Sequence, residues 1–280
     1  MKPIERPGQP SCAGVARLWW WLPMALLALG APLWLHAGEP ALFLTLNGWG
    51  AAVAAPVWTG LSLLGNGWGV LGITAPLLVL APRVAGAWVC AAPFAILFSR
   101  AGKWLIDSPR PAALIDPNQF RVIGEVLQTV SMPSGHTTTA FAVASATWFA
   151  LWQHRHANSQ DPLQPRWRHA WLLVLALLVG LSRIAVGAHW PGDVLVGMAL
   201  GLWSGLLGNA LLQALPSTAF TRHSWSLRAL AMLVALAVYT LWTEPQDFAE
   251  NLPFQRLLAV LAVASLCAFA MRSARALRAS

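Results

Sequence analysis

The chain has 280 residues, of which 57% are hydrophobic and 10% charged, with a formal net charge of +8 at pH 7. A soluble globular domain carries roughly a quarter of charged residues, so this composition excludes one and indicates an integral membrane protein. The arginines fall in short runs between apolar segments, where they orient a chain in a membrane, and nucleic acid is excluded as a partner.

Apolar runs long enough for a hydrocarbon core of about 30 Å are predicted at Leu18 to His36, Asn66 to Pro82, Val84 to Lys103 and Thr137 to Gln153. Four more follow at Ala170 to Ala188, Pro191 to Leu215, Arg228 to Trp242 and Leu257 to Met271. The stretch 41–64 is also apolar but carries Asn47, Gly48, Gly50, Pro56 and Gly60, and parity decides its reading. Without a span there, the tail 1–17, Arg83, the 154–169 loop, the 216–228 loop and the C-terminal tail share one side, which holds twelve of the eighteen Lys and Arg. The positive-inside rule makes that side cytoplasmic. We therefore expect 41–64 to lie along the outer interface, both termini to be cytoplasmic and the fold to be an all-α polytopic bundle. Its organisation is a tail over 1–17, six spans over 18–215 and a two-span extension with a basic tail over 216–280. Tryptophans at predicted helix ends, Trp104, Trp171, Trp190 and Trp242 among them, fit an aromatic belt.

Cys12, Cys90 and Cys267 form no CxxC spacing, so neither a disulfide framework nor a zinc site is expected. Two lysines against sixteen arginines indicate a GC-rich genome, hence a bacterial inner membrane, and make Lys103 notable.

Three polar clusters fall at outer helix ends. Lys103 precedes Arg110-Pro111; Pro133-Ser134-Gly135-His136 opens the fourth span; Ser182-Arg183 is followed by His189 and Asp193 at the junction of the fifth and sixth. Alternating spans bring them to one face. Arg110 and Arg183 offer planar two-donor forks and Lys103 a compact charge, a set suited to a dianionic phosphate. Ser134 and Gly135 stand at a helix start, where free N–H groups and the positive helix end favour anions, together an oxyanion cradle. Asp193 can fix the tautomer of His189 and leave its other nitrogen nucleophilic. His136 then serves as the acid for the leaving alkoxide and the base for water.

These clusters resemble the complete signature of the type 2 phosphatidic acid phosphatase superfamily, in its membrane lipid phosphatase branch. The resemblance implies a phosphatase needing no metal or other cofactor, with His189 as nucleophile, Asp193 as its partner and His136 as general acid. It assigns phosphate binding to Lys103, Arg110, Ser134, Gly135 and Arg183. The motifs cover 103–193, and the family core should cover roughly 18–215. The extension 216–280 goes beyond that core, and two roles are open to it: packing beside the core, or pairing copies of the chain into a homo-oligomer.

Singly, each piece has a plainer reading: a lysine at a helix end snorkels, and Pro-Ser-Gly is a cap and turn. Arg100 lies a turn inside Lys103, where a charge is costly. Asp107, Asp116 and Glu125 read as solvated, and His154, His156 and His169 belong to the cytoplasmic loop. A transporter or lipid-binding scaffold is the rival class, but binding needs no His with a carboxylate partner, and no repeat symmetry is visible. A phosphotransferase with a lipid acceptor would use the same residues. Location at the hydrocarbon boundary, facing the periplasm, points to a lipid phosphate substrate. Undecaprenyl diphosphate ranks first, ahead of phosphatidylglycerophosphate, phosphatidate and lipid A phosphates.

Overall fold

The computed structural model describes residues 13–35, 40–158, 169–221 and 223–279. Residues 1–12 of the predicted tail, most of the 154–169 loop, Arg222 and Ser280 lie outside them. All regular structure among the described residues is helical. In chain order the helices are α1 (Ala13–Leu29), α2 (Ala31–Leu35), α3 (Pro40–Gly50), α4 (Ala55–Leu63), α5 (Gly67–Thr74), α6 (Leu77–Leu80), α7 (Pro82–Ile106) and α8 (Pro111–Leu114). They continue with α9 (Gly135–Asn158), α10 (Trp171–Ala185), α11 (Pro191–Ala214), α12 (Trp225–Thr243) and α13 (Leu252–Ala279).

By length and composition, four described stretches can cross a membrane: Pro82–Leu114, Pro191–Ala214, Trp225–Thr243 and Ala249–Arg275. The pair α3 and α4, bent by 109°, makes a fifth when counted together. The chain is thus a membrane protein. Helices α1, α9 and α10 match predicted spans in position without meeting that measure: α10 has 15 residues, and α9 carries Thr137, Thr138, Thr139, Ser145 and Thr147. The predicted span Asn66 to Pro82 takes a different form, two helices of 8 and 4 residues. Pro76 supplies no N–H to continue α5, and Pro82 at the first turn of α7 starts a new direction.

Helix α11 is the centre of the bundle, packed against α9, α7 and α1. Its face toward α9 is glycine at every fourth position. A Cβ built on Gly201 would stand 2.5 Å from the Cβ of Phe141, and one on Gly205 1.9 Å from the Ser145 hydroxyl. On the other side Gly208 meets the backbone of Ala91 in α7. These helices approach almost backbone to backbone, as small residues allow in membrane bundles.

The extension packs beside the core. Helices α12 and α13 pair with each other and with α5. Leu227, Leu230 and Val234 share one apolar cluster with Val84, Ala85 and Trp88 of α7 and Ala142 and Ala146 of α9. The bent pair α3–α4 covers the C-terminal end of α10. Buried Asn47 donates to the carbonyls of Ile184 and Ala185, and Arg121 donates to those of Gly50 and Val53.

Candidate active site

Helix α7 ends at Asp107 in a left-handed conformation, φ 38°, one turn beyond Lys103. That stop lets the chain turn back through Arg110 and then along 128–131, which lies against both cations. Lys103 Nζ donates to the Val130 carbonyl at 2.8 Å. Arg110 spreads its fork over three carbonyls: Nε to Thr129 at 2.8 Å, Nη1 to Ala188 at 2.9 Å and Nη2 to Val130 at 3.4 Å. Two cations and the loop that holds them thus form one unit.

Ser134 is fully buried and caps α9: its hydroxyl accepts from the N–H of Thr137 at 3.4 Å and the hydroxyl of Thr137 at 2.9 Å. Its own N–H donates to the Asp193 carbonyl at 3.1 Å. The contacts of Ser134 therefore hold α9 against the start of α11. Gly135 and His136 open α9, where helical geometry leaves amide N–H groups without intrahelical acceptors.

The third cluster is folded by a local turn. The Arg183 carbonyl accepts from the N–H of Ala188 and of His189, and Gly187 adopts φ 81°, where a Cβ would stand 2.7 Å from the Arg121 carbonyl. Only glycine suits that position. His189, 2% exposed, is thereby brought over Asp193 in the first turn of α11. Its Nδ1 lies 3.2 Å from Asp193 Oδ2, which also accepts from the Trp190 N–H at 2.8 Å and the Ser131 hydroxyl. Ser131 lies 3.5 Å from the same ring nitrogen. With Nδ1–H on the carboxylate, Nε2 keeps its lone pair, and Arg110 Nη1 stands 3.4 Å from it. Burial, then the charges of Arg110, Arg183 and Lys103, hold the imidazole pKa well below its ordinary value. A neutral, oriented imidazole amid cations is the state an attacking nitrogen requires.

Arg183 is 4% exposed, donates to the Ser62 hydroxyl and stacks its guanidinium 5.9 Å from the Phe248 ring centroid. Its Nε and Asp193 Oδ1 are buried without a partner among the described residues. His136 directs Nε2 to Asp247 Oδ2 at 3.0 Å, and Asn66 donates to the same oxygen at 3.0 Å. Burial pushes the Asp247 carboxyl up, but the bond and charge of His136, Arg183 and Asn66 hold it below the usual carboxylate range.

All eight predicted residues therefore gather at the ends of α7, α9, α10 and α11. Ser131, Ser62, Asn66, Asp247 and Phe248 join them without having been anticipated. Ser131 stands three residues before Ser134, so the motif's neighbourhood was a usable signal. Span parity also put the loop holding Asp247 on the site's face. Arg100, Asp107, Asp116 and Glu125 are exposed and take no part.

The arrangement can bind a phosphate between cations and helix-start amides while an imidazole attacks it. Parts of the chain are similar to known proteins. A lipid A 1-phosphatase of Rhizobium johnstonii is 43% identical over 77 residues, 28% of this chain and 26% of that protein. An undecaprenyl-diphosphatase of Sulfolobus acidocaldarius is 29% identical over 113 residues, 40% of this chain and 48% of that one. The crystal structure of Aquifex aeolicus LpxE superposes with a TM-score of 0.47 at 25% identity, covering 60% of this chain and 92% of its own. The match to the first of these relatives spans about a quarter of that relative's length. Residues 84–217, which include every site residue from Lys103 to Asp193, match the family model of the PAP2 superfamily.

Proposed function

We propose that this chain is a membrane lipid phosphatase that removes phosphate from a lipid phosphate or diphosphate through a phosphohistidine. The observation that carries the reading is the relay from Ser131 and Asp193 to His189 Nδ1, with Nε2 turned to Arg110 and the cation cluster. In the first step Nε2 attacks phosphorus, the bond to the leaving oxygen breaks, and His136 supplies a proton to that oxygen. In the second, His136 takes a proton from water as the water attacks phosphorus. The P–N bond breaks, and inorganic phosphate leaves. Lys103, Arg110, Arg183 and the opening amides of α9 stabilise the charge that builds on the phosphoryl oxygens.

A cavity of about 560 Å³ supports a lipid as the substrate. It runs among α5, α7, α9 and α12, walled by Val70, Trp88, Ile96, Val143 and Leu233, with Asn66 and Gln246 also in its lining. Asn66 is also the residue that holds Asp247, so an acyl or prenyl chain in the cavity would have its headgroup beside the cations. We place the site on the periplasmic face, in line with the arginine asymmetry of the loops.

The test is release of phosphate by purified protein from undecaprenyl diphosphate, phosphatidylglycerophosphate, phosphatidate and a lipid A 1-phosphate, with His189→Ala as control. Turnover of one of these in EDTA, inhibited by vanadate and lost in the control, is expected. Absence of turnover on all four, or an active control, would overturn the reading.

A further inference from the structure

The general acid of this site has a carboxylate partner that the core does not supply. We infer that Asp247, carried by the loop between the two helices of the C-terminal extension, is a positioning residue for His136. The inference rests on the phosphatase reading above and assigns the extension a role in it.

The loop is built toward the site. Asp247 sits at φ 56°, in the left-handed region that aspartate tolerates better than most residues. Its carboxylate is held from two sides, by His136 Nε2 and by Asn66 Nδ2, each at 3.0 Å. The next residue, Phe248, is buried, covers the Arg183 guanidinium and lies where a Cβ on Gly124 would touch its ring. Three residues further on, buried Asn251 donates to the Thr59 carbonyl at 2.8 Å and fastens the loop to α4. A solvated linker between two spans needs none of these contacts.

The charged groups that face His136 are Arg183 from the end of α10, Arg110 from the turn before α8, and Asp247. Two cations favour the neutral ring and the carboxylate favours the imidazolium. Asp247 thus offsets the charge that phosphate binding requires nearby. With Nε2–H on the carboxylate, Nδ1–H is the proton given to the leaving oxygen as the P–O bond breaks and the P–N bond to His189 forms. In the second step Nδ1 recovers a proton from the attacking water.

The experiment uses full-length protein and the variants Asp247→Asn, Asp247→Ala and Asp247→Glu, with kcat/KM measured on two substrates. One is a lipid phosphomonoester that turns over in the wild type, whose alcohol leaves poorly without a proton. The other is p-nitrophenyl phosphate, whose leaving group needs little protonation. Asp247→Asn is expected to lose about 10²-fold or more on the lipid, the scale of general acid catalysis, and at least about tenfold less than that on p-nitrophenyl phosphate. The alkaline limb of its pH profile should move to lower pH, and Asp247→Glu should recover part of the loss. Phosphate incorporation from p-nitrophenyl phosphate reports that each variant is folded. Equal losses on both substrates, or wild-type kinetics on the lipid, would overturn the role of Asp247 while leaving an active wild type and a dead His189→Ala intact. A wild type without phosphatase activity would instead overturn the reading beneath it.

Discussion

The site holds two histidine–aspartate pairs that differ in how the chain makes them. His189 and Asp193 are four residues apart, joined at 3.2 Å, with side chains 3% and 0% exposed. His136 and Asp247 are 111 residues apart, joined at 3.0 Å, with side chains 20% and 25% exposed. The first pair comes from one turn and one helix start, so local geometry nearly suffices to form it. The second exists only when the extension is docked on the core. On the phosphatase reading, the difference teaches that the attacking group is set by one local turn, while support for the proton donor comes from a separate pair of helices.

The sharpest break of that contrast is His189→Ala. It should abolish covalent phosphate incorporation and lower turnover by a factor on the order of 10⁶, the scale of losing a hydrolase nucleophile. His136→Ala should still form phosphoenzyme from p-nitrophenyl phosphate and accumulate it, because the base for the second step is gone. Rapid quench with labelled substrate separates the two, and label retained in His189→Ala would reverse the roles. Next in size is Asp193→Asn, for which a loss of about 10⁴ in turnover is expected from the wrong tautomer; a loss below tenfold would show that the carboxylate does not set the ring.

Ser131→Ala removes one hydrogen bond to a buried carboxylate, worth about 1.5–3 kcal/mol and so roughly ten- to a hundredfold in kcat/KM. Unchanged kinetics would show the contact to be incidental. The smallest effect is on stability. The folded state holds the His189 pKa below its ordinary value of about 6.5, so the unfolded chain binds more protons there, and stability should fall as pH drops below about 6.5. Thermal unfolding in detergent at pH 5 and pH 7.5 should show a weaker pH dependence for His189→Gln than for the wild type. Asp247, held below the usual carboxylate range, adds nothing to that slope, because its contribution disappears only in stronger acid. Identical pH dependence in the two proteins would contradict the neutral nucleophile.

Most of the site was legible because short spacings and chain order carry it. Lys103, Arg110, His136, Arg183, His189 and Asp193 all lie at ends of apolar runs, and alternation of spans places those ends together. What could not be read was contact between distant loops. Asp247 stands among Glu244 and Glu250 in a segment whose composition suggests ordinary solvation, and nothing near it in the chain names His136. The fold was read less completely at 66–82, where an apolar run long enough for one span holds Pro76, and the lost N–H divides it into α5 and α6. Ser134 illustrates a subtler limit. Its place in the motif fits a phosphate donor but does not announce its second role: its N–H donates to the Asp193 carbonyl and its hydroxyl oxygen accepts from Thr137, joining α9 to α11 and capping α9.

The glycine face of α11 makes the two flanks of the bundle mechanically unequal. Where Gly201, Gly205 and Gly208 lie against Phe141, Ser145 and the backbone of Ala91, α11 contributes no side chain that could repack, so that seam has little freedom to rearrange. The opposite flank, between α12 and α7, meets across side chains and a cavity, which can be rearranged by rotamer changes. The loop that carries Asp247 leaves from this softer flank, so the two histidine–aspartate pairs are seated on supports of unequal stiffness: the His189 pair at the head of α11, the His136 pair on the side that side chains and a cavity fill.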